Sequence, residues 1–270
     1  MAREKSGAIN MSALTTVTGG TKRNFVDALK ILALAVLIAG GLELLLIVSE
    51  TPEYVFPKPT AIVATLVQDF GALYWPPLWV TIQTFTLGLF IGSTIGLLLA
   101  AVLTLRPSVE KIIAPYIVVM VTTPMLALVP FLMLKFGFGI TPRVIAVALA
   151  SGPMVMINSA TGFKQVDSNL LALGRSYGAS TLQMFTKIRF PYALPMIIVG
   201  YMVGAIFGLL TAVGAEMVGG GSGLGNRLVY FSSLVEMPRF GAVLVIVSAL
   251  GVTFYAIFTL ISKRWADWNA

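Results

Sequence analysis

Long apolar runs alternate with short polar intervals along this chain, at about 28–49, 80–104, 114–135, 143–163, 192–215 and 241–262. Each is long enough to cross a hydrocarbon core, which takes roughly 20 apolar helical residues because lipid offers no partner to open backbone. The pattern predicts an all-α polytopic membrane protein with six transmembrane helices. It places a tail over residues 1–24 ahead of a single membrane domain over 25–270. The first run begins after a polar stretch and no small-residue cleavage site follows it, so it reads as an anchor rather than a cleaved signal.

Composition agrees with the pattern: 57% of the 270 residues are hydrophobic and 11% are charged, with a mean hydropathy of +0.93. The 18 Lys and Arg residues are shared unevenly between the two sides of the six runs. Lys58, Lys135, Arg143, Arg227 and Arg239 fall on one side; all the others, including Arg106, Lys111, Lys164, Arg175, Lys187 and Arg189, fall on the other. Positively charged loops resist translocation, so the richer side is cytoplasmic, with both termini and the interval 164–190 on it. The net charge of +7 is accounted for by this asymmetry. No basic stripe with stacking groups is present, which argues against a nucleic-acid partner.

Candidate chemistry is sparse. There is no histidine and no cysteine, so imidazole bases, thiolate nucleophiles, disulfides and the usual metal ligands are all missing, and neither a metal site nor a catalytic residue is expected. No G-x-x-x-x-G-K-[ST] occurs. The ionisable groups at membrane depth reduce to Glu43 and, at the outer end of the fifth run, Glu216, too few for a proton- or ion-driven pump. The glycine-rich stretch Gly219–Gly225 follows an apolar run and carries no lysine, so it reads as an extracellular turn rather than a phosphate cradle.

Within the runs, Gly88, Gly92 and Gly96, and again Gly200, Gly204 and Gly208, recur at four-residue spacing. Such small-residue faces let helix backbones approach closely, inside one chain or between two copies. Pro124, Pro130, Pro153 and Pro195 are expected to kink their helices. Thr122, Thr123, Ser151, Asn158, Ser159, Thr161 and Thr211 supply the uncharged polar groups from which a solute pathway could be lined, the competing reading being bonds to their own backbone or to neighbouring helices. Glu43 is expected to pair with a neighbouring helix near the outer leaflet.

The interval 167–190, DSNLLALGRSYGASTLQMFTKIRF, is patterned unlike the rest. Asp167 or Ser168 caps a first helix through Leu170, Leu171, Leu173 and Tyr177, with Gly178 placed to end it in a left-handed conformation. Ser180 and Gln183 have capping-box spacing, predicting a second helix over Thr181–Arg189 that runs until Pro191. The apolar residues of this pair, Met184 and Phe185 among them, are too many for a solvated loop. They lie either on the bilayer interface and the bundle, with membrane lipid as the partner, or against a cytoplasmic protein.

The spacing of Gly178, Ile188, Phe190 and Pro191 closely resembles the cytoplasmic loop of binding-protein-dependent ABC importer permeases. VFPKPTAI with Pro57 and Pro59, TPMLALVPFLMLKFGFG with Pro124, Pro130 and Gly137, AEMVGGGSGLG with Glu216, and Glu43 are similar to segments of the nitrate/sulfonate/taurine branch. Ala172, Leu173 and Gly174 stand where the family loop has Glu-Ala-Ala, Lys135 where the branch usually has tryptophan, and Met125 where it often has a second proline. The resemblance implies a type I importer-like fold acting as a homodimer, with a cytoplasmic ABC ATPase dimer that carries ATP and Mg, and an extracytoplasmic binding protein. It implies that Leu170, Leu171, Ala172, Leu173, Gly174, Tyr177, Gly178, Ala179, Ser180, Phe185, Ile188 and Pro191 form the ATPase-coupling segment. The candidate lining of the pathway or gate is Thr122, Thr123, Met125, Ser151, Asn158 and Thr211, with Glu216, which the resemblance places where the fifth helix meets the outer loop. A small anion, a sulfonate, nitrate or carboxylate, is the expected cargo, with Arg143, Arg227 and Arg239 on the outer side compatible with it. The rival reading is a self-powered secondary transporter or channel.

Overall fold

The computed structural model describes residues 21–265, with the side chains of 21–28 and of Leu32 outside the described set. Of the tail expected over 1–24, residues 1–20 lie outside the described residues, and 21–24 belong to the first helix. The chain divides after Ala61 into two compact units, taken separately below.

In the first unit, α1 (Thr21–Val48) holds the apolar stretch Leu29–Val48. Glu43 on α1 accepts hydrogen bonds from the backbone N–H of Thr60 at 3.2 Å and from its hydroxyl. Thr60 opens α2 (Pro59–Asp69). The carboxylate therefore caps the first turn of the next helix, where free N–H groups and the helix dipole favour an anion.

The described residues of the second unit form helices joined by short turns. A π-helical turn, Phe70–Tyr74, joins α2 to α3 (Trp75–Leu105). The second span therefore starts well before the expected position 80. Pro76 and Pro77 fall in the first turn of α3, where the missing N–H groups cost no helical bond. α4 (Pro107–Thr122) and α5 (Met125–Phe136) follow, then α6 (Ile140–Lys164). The short helices α7 (Ser168–Ser176) and α8 (Thr181–Met184) come next, and a second π-helical turn, Phe185–Arg189, leads into α9 (Phe190–Gly219). α10 (Leu224–Ser233) and α11 (Met237–Trp265) complete the described residues. Among the described residues, five helical stretches are long and apolar enough to cross a membrane, and α4 with α5 makes a sixth if counted as one bent span.

That bent pair corrects the expectation of a single helix over 114–135: α4 and α5 enclose 93°. The cause is Pro124, which has no N–H to donate to the preceding turn and pushes the residue before it out of the helical region. Thr123 is extended at φ −71°, ψ 125°. A second correction concerns the helix expected over Thr181–Arg189. It is α-helical only to Met184, and the π turn carries it without interruption into α9. The Phe190 N–H donates to Phe185 O, an i to i−5 bond, so the extra residue absorbs the mismatch that Pro191 would otherwise impose.

The two glycine faces meet one helix, α6, from two sides, so both serve packing inside the chain. A Cβ added at Gly92 or Gly96 of α3 would lie 2.4 Å from Ala148 O or 2.3 Å from Gly152 O, and one at Gly204 of α9 would lie 3.0 Å from Val155 Cγ2 and 3.2 Å from Ser151 O. Without a hydrophobic driving force in lipid, this backbone-to-backbone approach supplies the dispersion contacts that hold the bundle. Phe85, Val147, Leu209, Leu224, Phe231 and Val243 form one buried cluster, and Leu103, Phe163, Ala193 and Ile197 belong to a second. α4 is packed more lightly: none of its side chains is fully buried, and Val109, Ile113 and Ile117 lie half-buried against the second cluster.

Candidate functional site

Three places in the second unit combine unusual geometry with polar or exposed groups. The first is the elbow over 167–190. The Asp167 carboxylate accepts from the Asn169 N–H at 2.9 Å, which starts α7. α7 ends in paired bonds from Gly178 N–H to Arg175 O (2.9 Å) and from Ala179 N–H to Gly174 O (3.0 Å), with Gly178 at φ +72°, the Schellman arrangement. Ser180 and Gln183 then form the reciprocal capping box that opens α8.

The residues expected to act in this elbow separate into two faces. Leu170, Leu173 and Tyr177 are exposed, Tyr177 at 83%, and Leu182 joins them at 70%. Ala172, Gly178 and Ser180 are exposed too, whereas Leu171, Gly174, Ala179, Phe185, Ile188 and Pro191 are half-buried. A Cβ at Gly174 would lie 2.4 Å from Met184 Sδ and 3.0 Å from Ile188 Cδ1. Glycine at this position leaves room for the ends of the Met184 and Ile188 side chains where α8 closes onto α7, and its low helix propensity is the accompanying cost. The elbow is anchored to the bundle through Phe163, fully buried. The Phe163 ring centroid lies 4.9 Å from that of Phe185 and 6.4 Å from that of Phe190, and Phe163 O accepts from Arg189 Nη1 at 2.8 Å.

The second place is a cavity of about 290 Å³ in the angle between α4 and α5, closed by Pro153 of α6 and Phe207 of α9. Thr122, Thr123, Met125 and Thr211 all line it, so the structure gathers four of the seven candidate pathway residues. Each threonine hydroxyl donates to its own helix: Thr122 to Val118 O (2.9 Å), Thr123 to Val119 O (2.7 Å) and Thr211 to Phe207 O (2.8 Å). Hydroxyl acceptor capacity faces the space while the protons are spent. Among the described residues no charged side chain lines the cavity. The break also frees backbone groups that a continuous helix would pair, a feature tolerated at membrane depth only where the backbone lines a cavity or is buried in protein.

Ser151 and Asn158 lie elsewhere. Ser151 is fully buried, donates to Val147 O at 2.9 Å and packs against the Gly92 face; Asn158 donates to Met154 O at 2.8 Å and abuts Gly200. Glu216 is also absent from the cavity, and it forms the third place. It is fully buried, and its Oε2 accepts from Thr81 Oγ1 (2.8 Å) and the Gly225 N–H (3.0 Å). The Leu224 N–H donates in turn to Thr81 Oγ1 at 2.9 Å. A Cβ at Gly223 would lie 2.2 Å from the carboxyl carbon, so the turn wraps the carboxyl group as only glycine allows. Arg143, 3% exposed, donates to Gly220 O (2.5 Å) and Ser222 O (2.8 Å) of the same turn. Two buried side chains, Glu216 and Arg143, thus hold the turn 219–225.

This disposition also answers for the outer arginines. Arg143 spends both terminal nitrogens on carbonyls, Arg239 is paired with Asp69 and Glu236, and Arg227 lies over the Tyr230 ring, 5.7 Å from its centroid. Thr81 was invisible to sequence reasoning, one hydroxyl in a long apolar run; its only signal is its position four residues after Pro77, whose carbonyl it also meets at 3.2 Å.

A bundle of long apolar helices, glued by small residues and bent around a lined cavity, defines a polytopic membrane transport protein. Residues 92–267 match the family model described as the binding-protein-dependent transport system inner membrane component, and the chain belongs to that family. It is an inner-membrane permease of a bacterial ABC importer, a transport component and not itself the ATPase. Among its relatives, a probable ABC transporter permease protein of Haemophilus influenzae is 27% identical over 78% of this chain and 86% of its own length. The putative aliphatic sulfonates transport permease protein SsuC of Bacillus subtilis is 26% identical over 100% of this chain and 98% of its own. A chain from the MetNI methionine ABC transporter in inward-facing conformations shares the fold, with a TM-score of 0.64 at 18% identity over 70% of this chain and 94% of that one.

Proposed function

We propose that two copies of this permease pass a small anion, of sulfonate, nitrate or carboxylate type, from an extracytoplasmic binding protein into the cytoplasm, driven by an ABC ATPase dimer docked on the elbow 164–190. In this reading residues 25–270 are the permease domain, both termini are cytoplasmic, and the ATPase supplies the ATP and Mg site. The observation that carries it is the exposed apolar face of Leu170, Leu173, Tyr177 and Leu182 on an elbow whose ends are fixed by a carboxylate cap, a Schellman motif and a capping box. A rigid, locally ordered surface of this kind suits docking, because little conformational freedom is lost on binding.

The cavity at the α4–α5 break serves as part of the solute pathway. Thr122, Thr123, Met125 and Thr211 face the moving solute, whereas Ser151, Asn158 and Glu216 support the helices around it. A lining of uncharged side chains suits passage better than retention, so selectivity resides mainly in the binding protein. Full-length likeness to a sulfonate permease supports a sulfonate as the first cargo to test. The test is uptake into proteoliposomes holding this chain, a cognate ABC ATPase and a binding protein, with a panel of sulfonates, nitrate, carboxylates and uncharged solutes. ATP-dependent accumulation of an anion is the expected result. Accumulation of uncharged solutes alone would overturn the anion assignment, and uptake by the chain without an ATPase would overturn the mechanism.

A further inference from the structure

A second cavity, of about 280 Å³, lies between α4 and α6, lined by Leu103, Ile117, Met156 and Ala160 and bounded by Glu110 and Lys164. The Glu110 carboxylate and the Lys164 ammonium form an ion pair there. Glu110 lies in the first turn of α4 and Lys164 in the last turn of α6, so each charge sits at the helix end whose dipole favours it. Both side chains are partly exposed, at 35% and 46%, and pairs with this much access to solvent are weak. Separating them therefore costs little, because each keeps the stabilisation of its own helix end.

The position of the pair gives it consequence. No side chain of α4 is fully buried, its packing being the half-buried Val109, Ile113 and Ile117 against the cluster of Leu103 and Phe163, so this ion pair is a polar tie on a lightly packed wall of both cavities. Lys164 directly follows Phe163, the residue on which Phe185, Phe190 and Arg189 of the elbow converge. A displacement of the elbow is therefore delivered to the end of α6, and through the pair to α4, whose other end is the break at Thr123 and Pro124.

We propose that Glu110 and Lys164 form a reversible ionic latch that ties the cavity wall α4 to the elbow end of α6. It opens and closes once per transport cycle. Neither residue touches the solute in this account; they are positioning residues for the moving wall. The inference rests on the reading of 164–190 as the ATPase-docking elbow.

The test uses the permease reconstituted with its ATPase and binding protein, reading solute transported per ATP hydrolysed. Glu110→Lys and Lys164→Glu should each lower that ratio several-fold, by leaving hydrolysis running without transport, and the double exchange should restore it. A static brace would lower yield or thermal stability but leave the ratio unchanged. The chain contains no cysteine, so Glu110→Cys with Lys164→Cys gives a unique thiol pair for a cleavable bis-methanethiosulfonate. Joining them should reduce transport at least tenfold, and reductive cleavage should restore it, with the ATPase bound throughout. Joined protein that transports at the unjoined rate, thiols that cannot be joined, or a double exchange that fails to restore the ratio would each overturn the latch. Failure of the unsubstituted chain to bind an ATPase would instead sink the elbow reading.

Discussion

At the scale of single residues, the most informative side chains are the buried polar ones. Glu216 accepts two hydrogen bonds in a space closed by glycine backbone, and removing it leaves the Gly225 N–H without its acceptor and the Thr81 hydroxyl with only the longer contact to Pro77 O. Unsatisfied buried donors cost ~1–3 kcal/mol each, and the void left by the side chain adds to that. Glu216→Ala should therefore lower the thermal unfolding midpoint of detergent-solubilised permease markedly. Glu216→Gln, which keeps an acceptor oxygen in the same place, should lower it far less. Equal effects of the two, followed by intrinsic fluorescence, would remove the hydrogen-bonding account of this residue. The sequence places Glu216 at the end of an apolar run next to a glycine turn, but its partner Thr81 lies 135 positions away. Only the fold brings the two together, so the sequence does not display this partner. Gly174 carried a misleading signal for a related reason: its weak helix propensity is local, whereas its value, room for Met184, is tertiary.

At the scale of elements, local rules with a sharp chemical cause were legible. The carboxylate cap at Asp167, the left-handed end at Gly178 and the capping box at Ser180 all depend on residues within a few positions of one another, and they stand as expected. The proline effects were harder to read. Pro130 and Pro153 lie inside helices that continue through them, while Pro124 ends one and starts another at 93°. The difference lies in what surrounds each proline, because a freed backbone group can find a partner or face a cavity, and the sequence does not display that. The π turn before Pro191 was likewise unreadable, since an i to i−5 register has no residue signature of its own.

The elbow gives the prediction that belongs to this scale. Gly178 at φ +72° adopts a conformation costing roughly 1–2 kcal/mol for a residue with a Cβ, and open space surrounds it. Gly178→Leu should therefore leave insertion and yield near normal while misaligning α7 and α8. Solute uptake should fall at least tenfold and hydrolysis should lose its dependence on the loaded binding protein. Normal substrate-stimulated hydrolysis in that variant would show that the elbow's shape does not matter to coupling.

At the scale of the whole molecule, apolar run lengths and the distribution of Lys and Arg were enough to predict a helical membrane protein with about six spans, because the bilayer sets both constraints directly. The arrangement of those spans was not available from the same information. Two glycine faces on separate helices could serve one chain or two, and the structure spends both on α6. α3, α6 and α9 pack backbone to backbone, and α4 lies beside them with no fully buried side chain. In the proposed mechanism, motion delivered at the elbow shifts α4 about the break at Pro124, a two-state element biased by events in another chain.

That account depends on an ATPase sitting on the exposed face of the elbow. The most direct measurement places a photo-crosslinking amino acid at Leu173 or Tyr177 in the membrane-embedded permease, co-expressed with a cognate ABC ATPase. Irradiation should capture the ATPase at these positions, and not from the half-buried Ile188 on the opposite face. Capture of lipid alone at Leu173 and Tyr177, or equal capture from Ile188, would contradict it.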